Sequence, residues 1–240
     1  MFIKIMKNLF LFTIIYNLFI GFAFAQKKDS DKRSPTYDES YVHKTPEVSP
    51  WTVAEMPRSK GALKGSPYIS EDFIATKVAD SIYLMRYNAF ADVFEQYETV
   101  GGHVVPFAAS NGTKLEIPSL KKTYQFLNFK EKSTVKQGFL VVLYESDNLK
   151  LYKKEKINFN RGKAPRTSYD RAFPDEFERQ RDVFYYQINQ SGIIELPRNK
   201  RQFLNLFDEH QREINSFMKE NKISLREEND LIRLFRFINQ

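Results

Sequence analysis

TVKQGFLVVLYESDNLKLYKKEKINF, residues 134–159, is the stretch whose reading decides the fold. It divides at Ser146-Asp147-Asn148 into two strands. Phe139-Leu-Val-Val-Leu-Tyr144 is apolar on both alternating faces, which predicts a strand covered on both sides. Its partner carries Leu149 and Leu151 on one face and Lys150, Tyr152 and Lys154 on the other, so the sheet is expected to turn a face to solvent there.

The segments before this pair read as further strands. Gly65-Ser66-Pro67-Tyr68 is a turn signal. Phe73–Val78 and Ser81–Tyr87 follow, the second with Tyr83, Met85 and Tyr87 on one face and Ile82, Leu84 and Arg86 on the other. Asn88–Ala91 turns the chain into Asp92–Tyr97, and Gly101-Gly102 precedes His103–Phe107. Asn111-Gly112 is the strongest short hairpin signal, since both residues tolerate positive φ. Leu115 and Ile117 lie beyond it, and Thr123–Phe129 leads into the central pair.

After that pair, residues 160–179 break the pattern with Pro165, Pro174 and dispersed charge. They read as a long loop with a helical turn at Asp175–Arg179. Arg181–Ile188 resumes as a strand, Ser191-Gly192 turns, Ile193–Leu196 pairs back, and Pro197 ends the sheet. The C-terminus then takes a helical period: Phe203, Phe207, Ile214 and Met218 share a stripe, as one helix or as two broken near Asp208. Ser224-Leu-Arg-Glu227 reads as a capping box before a last helix carrying Leu231, Leu234, Phe235 and Ile238. The expected fold is α+β: an antiparallel β meander over 65–197, as a curved sheet or partly closed barrel, with two or three helices over 198–240 packed on it.

Composition agrees. Aromatic residues make up 15% of the chain, with 22 Phe and 13 Tyr, which suits half-buried sheets. There is no cysteine, so packing alone must stabilise the fold.

The N-terminus reads as a secretory signal over residues 1–25. Lys4 and Lys7 precede the apolar run Leu9–Phe22, and Ala23-Phe24-Ala25 supplies a small-x-small cleavage pattern. An uncleaved membrane anchor is the competing reading. Loss of Lys4 and Lys7 takes the net charge from +7 to +5. Residues 26–64, rich in charge, Ser and Pro, read as a disordered linker in which Trp51 could dock on the main body. The expected location is periplasmic or secreted.

Gly65-Ser66-Pro67-Tyr68, Leu84-Met85-Arg86-Tyr87-Asn88, Asp92-Val93-Phe94-Glu95 and the helical end Ile214–Ile238 together resemble a group of uncharacterised exported β-rich proteins of Bacteroidota. The resemblance spans roughly 65–240. It implies export and a β-rich architecture, and it implies no activity and no functional residues.

Known chemistries find no purchase in the motifs. His43, His103 and His210 lack partners at metal-site spacing. There is no G-x-S-x-G elbow, and Ser110 and Ser191 sit in turns. Glu71-Asp72, Asp92/Glu95, Asp175-Glu176 and Glu227-Glu228 are paired acids that a glycosidase would need facing across a cleft. No phosphate loop is present. The basic groups Lys121-Lys122, Lys150–Lys156, Arg161–Arg171 and Arg198–Arg201 offer attraction to anionic polysaccharide or lipid head groups, and an exported chain makes nucleic acid an unsuitable partner. The expectation is a non-enzymatic envelope protein that binds or scaffolds, with no catalytic, metal or cofactor residues assigned. The alternatives are a carboxylate hydrolase acting on sugar or peptide, and a carrier of lipid or another hydrophobic ligand.

Overall fold

A computed structural model describes residues 63–163, 167 and 173–240. They fall in the second of two units, Lys44–Gln240. The expected signal segment, most of the expected linker, Trp51 and His43 lie outside the described residues.

Among the described residues twelve strands and three α-helices follow one another: β1 (Ile74–Val78), β2 (Ser81–Asn88), β3 (Val93–Glu98), β4 (His103–Pro106), β5 (Lys114–Ile117), β6 (Lys122–Glu131), β7 (Thr134–Glu145), β8 (Leu149–Lys154), β9 (Ile157–Asn160), β10 (Glu176–Arg179), β11 (Val183–Ile188), β12 (Ile193–Glu195), α1 (Lys200–Leu204), α2 (Gln211–Glu220) and α3 (Glu228–Ile238). The expected α+β class holds. Ten strands form one sheet in the order β12-β11-β8-β7-β6-β5-β1-β2-β3-β4, and β9 pairs with β10 apart from it.

Two steps depart from a simple meander. The turn at Asn111-Gly112 is present, but it joins no hairpin: β4 pairs with β3, while β5 pairs with β1 and β6. Gly112 alone takes positive φ there (+92°), and its amide donates to the Phe126 carbonyl. Asn111 Oδ1 accepts from the Asn128 amide, so the turn is stitched to β6 instead of reversing β4. The second departure closes a ring. β12 pairs parallel with β6, Ile193 opposite Phe129 and Ile194 opposite Lys130, so that β6, β7, β8, β11 and β12 form a small barrel.

Ring closure corrects the reading of β8. Tyr152 does not face solvent. It is buried inside the ring with Phe129, Leu140, Tyr185 and Ile193, one side chain from each of the five strands. Lys153, on the opposite face, is buried as well. An alternating strand has a wet face only while its sheet stays open.

Two further cores lie outside the ring. One packs Met85, Tyr87, Phe94, Leu115, Tyr124 and Phe139 beneath β1–β5. Here Phe94 meets Tyr124 and Phe139 edge-on at centroid distances of 5.0 and 4.9 Å. The other seats the helices on β8 and β11, with Phe203, Ile214, Leu231, Leu234 and Phe235 against Leu149, Leu151 and Tyr186.

The C-terminal expectations resolve as follows. α1 and α2 are separate, divided by a 3₁₀ turn at Asp208–His210. α3 starts at Glu228, and Glu227 makes no side-chain cap. Asp230 reaches back instead and accepts from the Ser224 amide at 3.0 Å, one turn beyond the predicted capping box. Glu176–Arg179 is a strand and not a helical turn, because Phe177 packs on Phe90 and Phe159 and draws its segment alongside β9. Lys64 lies in the folded body: its amide donates to the Asp175 carbonyl, and its carbonyl accepts from Phe177 N–H.

Candidate functional site

The acids and cations singled out in the sequence are mostly engaged with one another. Three carboxylates repeat a single arrangement, each held by a tyrosine hydroxyl and a cation. Glu95 accepts from Tyr68 Oη at 3.1 Å and from Arg86 Nε and Nη2 at 2.9 and 2.8 Å. Asn88 Nδ2 adds a contact at 3.2 Å, and the guanidinium stacks 3.8 Å over the Tyr68 ring. Asp92 accepts from Tyr87 Oη at 2.7 Å and the Phe139 amide at 3.2 Å, and pairs with Lys154 Nζ at 2.5 Å. Glu155 accepts from Tyr124 Oη at 2.5 Å and Lys122 Nζ at 3.0 Å.

Burial sets the proton affinities. It pushes the Tyr68 hydroxyl up to about 12, with Glu95 adding to the effect. Burial and Asp92 hold Tyr87 well above the usual phenol range, and burial and Glu155 do the same for Tyr124. For Glu155 burial acts upward, but Lys122, Tyr124 and Lys153 outweigh it and hold the carboxyl below its ordinary value. These phenols stay protonated and donate, and Glu155 stays ionised and accepts. The arrangement fastens strands together. It is suited neither to a general base with an open lone pair nor to a proton donor poised near neutrality.

The remaining predicted positions disperse. Asp92 and Glu95, read as a pair, part company: Asp92 turns to β7 and β8, Glu95 to Tyr68 and Arg86. Asp175 Oδ1 accepts from the Gly162 amide at 2.6 Å, while Glu176 is exposed on β10. Glu227 flanks α3, and Glu228 pairs with Lys153 at 2.6 Å. His103 is exposed on β4, and His210 faces Glu213. Among the described residues no group of His, Cys, Asp and Glu is placed to hold a metal ion. Ser110 contacts Thr113, and Ser191 closes its own turn.

The basic run 150–156 is largely consumed within the fold. Lys150 pairs with Glu145, Lys153 with Glu228, Asp182 and Glu155, and Lys154 with Asp92, which leaves Lys156 exposed. Lys122 is likewise tied to Glu155, and Lys121 is exposed beside it.

What stands out is a surface that sequence reading missed. Register aligns Ala75, Leu84, Tyr97 and Val104 across β1, β2, β3 and β4. All four point away from the core formed by Met85, Tyr87 and Phe94, and all are exposed: Leu84 39%, Tyr97 37%, Val104 45%. Ile82, two residues along β2 on the same face, is 74% exposed. Phe73 leans on Tyr97 at 5.6 Å and on Arg86, joining this row to the Tyr68–Arg86–Glu95 cluster. A contiguous apolar row over four strands has more meaning than scattered exposed side chains. The clue in the sequence was the alternation of β2, which is apolar on both faces although only one enters a core.

No family model, no curated protein and no solved structure matches the chain.

Proposed function

We propose that this protein is exported and works in the cell envelope by binding or scaffolding, without catalysis, and that the Ala75–Leu84–Tyr97–Val104 row is its contact surface. That row carries the reading: four exposed apolar side chains held in register by strand pairing. The internal use of Asp92, Glu95 and Glu155 supports a non-enzymatic role, because the carboxylates a hydrolase would need are bound to phenols and cations. The Lys4/Lys7, Leu9–Phe22 and Ala23-Phe24-Ala25 pattern supports export, as does the resemblance to exported β-rich proteins of Bacteroidota.

The test is fractionation followed by capture from envelope extract, with the wild type and with Leu84→Asp/Tyr97→Asp. Both positions are exposed, so the variant is expected to melt close to the wild type and to lose its partners. Recovery from cytosol alone with residues 1–25 attached overturns the compartment. Capture unchanged by the double substitution overturns the surface.

A further inference from the structure

The apolar row sits in a part of the chain whose charge opposes that of the rest. Residues 68–107, which contain β1–β4, hold six carboxylates (Glu71, Asp72, Asp80, Asp92, Glu95, Glu98) against Lys77 and Arg86, a net charge of −4. Residues 108–240 hold 25 Lys and Arg against 18 Asp and Glu, a net charge of +7. Glu71, Asp72, Asp80 and Glu98 are exposed. These four acids lie at or beyond the ends of the strands and flank the apolar face, while Lys77, opposite Ile82, and Arg86, bound to Glu95, lie on the face itself.

The complementary surface is on the same molecule. Where the ring closes, Ile194 on β12, Lys130 on β6 and Val135 on β7 lie side by side in register. Ile194 and Val135 are exposed apolar residues, and Lys130 between them is exposed, as is Lys132 in the following turn. This is an apolar patch with cations, presented by three strands of the closed ring, none of which pairs with β1–β4. Strand addition at β4 is a poor alternative. That edge is four residues long, begins after Gly101-Gly102 and ends on Pro106, which has no N–H to offer.

Resting on the surface assigned above, we propose that the occupant of the β1–β4 face is a second copy of this chain. The acid-flanked apolar row of one molecule meets the Ile194–Lys130–Val135 patch of the next. Two different patches make a head-to-tail contact, which propagates into a ring or a chain and not into a closed two-fold dimer. Apolar contact supplies the attraction, and the opposed charges set orientation and association rate.

Sedimentation velocity of the protein as purified from the expressing cell tests this, over a rising concentration series at low and at physiological salt. The wild type is expected to pass beyond dimer at low salt, with association weakened roughly tenfold or more as salt is raised. Leu84→Asp/Tyr97→Asp and Lys130→Glu/Val135→Asp are each expected to be monomeric alone. Mixed, the two variants supply one intact face and one intact ring patch on different molecules, so they form a one-to-one dimer that grows no further. A wild type that stays monomeric, or variants that do not complement on mixing, overturns the self-association. If the face variant nevertheless loses envelope capture, the surface stands and its occupant is another molecule. If capture too is unchanged, both readings fall.

Discussion

Replacing Glu155 by Gln tests the account of the internal network most directly. The substitution keeps the volume and removes the charge. Glu155 is 4% exposed, and three cations surround its carboxylate: Lys122 at 3.0 Å, Arg179 at 3.5 Å and Lys153 at 3.7 Å. Removing one partner of a buried ion pair costs about 3–5 kcal/mol, since the other charge is left uncompensated. Two facts pull this toward the lower end. Lys153 keeps Glu228 and Asp182, and Arg179 keeps Asp182. Lys122 has no second acid among the described residues and carries most of the loss. A cost of about 3 kcal/mol corresponds to a fall of roughly 6–12 °C in melting temperature for a unit of this size. Thermal unfolding followed by far-UV circular dichroism measures it. The pH dependence has a definite sign. Because the Glu155 carboxyl lies below its ordinary value in the fold, its contribution is complete above the unfolded-state value and is lost as pH falls through the folded one. Wild type and variant should therefore differ fully at neutral pH and converge in acid. A shift below roughly 2 °C at neutral pH, or a gap that persists in acid, would refute the reasoning.

Other outcomes follow from the same geometry. Gly138→Ala would set a Cβ 2.0 Å from Asp92 Oδ2 and 3.1 Å from Lys154 Nζ, so the ion pair must move; a loss of about 1–3 kcal/mol in denaturant unfolding is expected. Phe203→Ala removes a fully buried ring shared by α1 and α3, and should cost about 3–5 kcal/mol by the same measurement. Asp230→Ala should cost about 1 kcal/mol by freeing the Ser224 amide, while Glu227→Ala stays within about 0.5 kcal/mol, and the reverse order would restore the predicted capping box. On the alkaline side, Tyr87, Tyr124, Tyr152 and Tyr185 are held up by burial, so their phenolate absorbance should appear only as the protein unfolds. Their raised values mean that stability is full below the ordinary phenol range and is lost as pH climbs past it.

How much of this was legible before the fold was known depended on how local each signal was. The run Phe139–Tyr144 announced a strand covered on both sides because its apolar character is written in consecutive residues. The Tyr152 face misread because alternation reports which side chains share a face and not whether a distant strand will close over it. Phe177 is one apolar residue among Asp175, Glu176, Glu178 and Arg179, too little for a strand signal, yet its two aromatic neighbours decide the segment. Asn111-Gly112 was correct as a turn and wrong as a hairpin, since turn chemistry is local and strand partnership is not. The exposed row shows the same limit. Leu84, Tyr97 and Val104 are unremarkable within their own strands, and only the register between strands lines them up. The phenol–carboxylate–cation groups gather residues from as far apart as Tyr87 and Lys154, which no spacing rule reaches.

The parallel contact between β12 and β6 has a bearing on how this chain acquires its shape. β6 shares one of its edges between two partners: β5 takes the half near Lys122–Gln125, and β12 takes Phe129 and Lys130. The first partner precedes β6 closely, whereas the second arrives only after β7, β8, the β9–β10 arm and β11. Until then Phe129 and Leu140 line an open trough, and the outer half of β6 offers unpaired backbone to any strand nearby. A chain made from its N-terminus delivers this clasp only after all the strands it closes on. A folding lapse before then would expose the sticky edge while the barrel is still open.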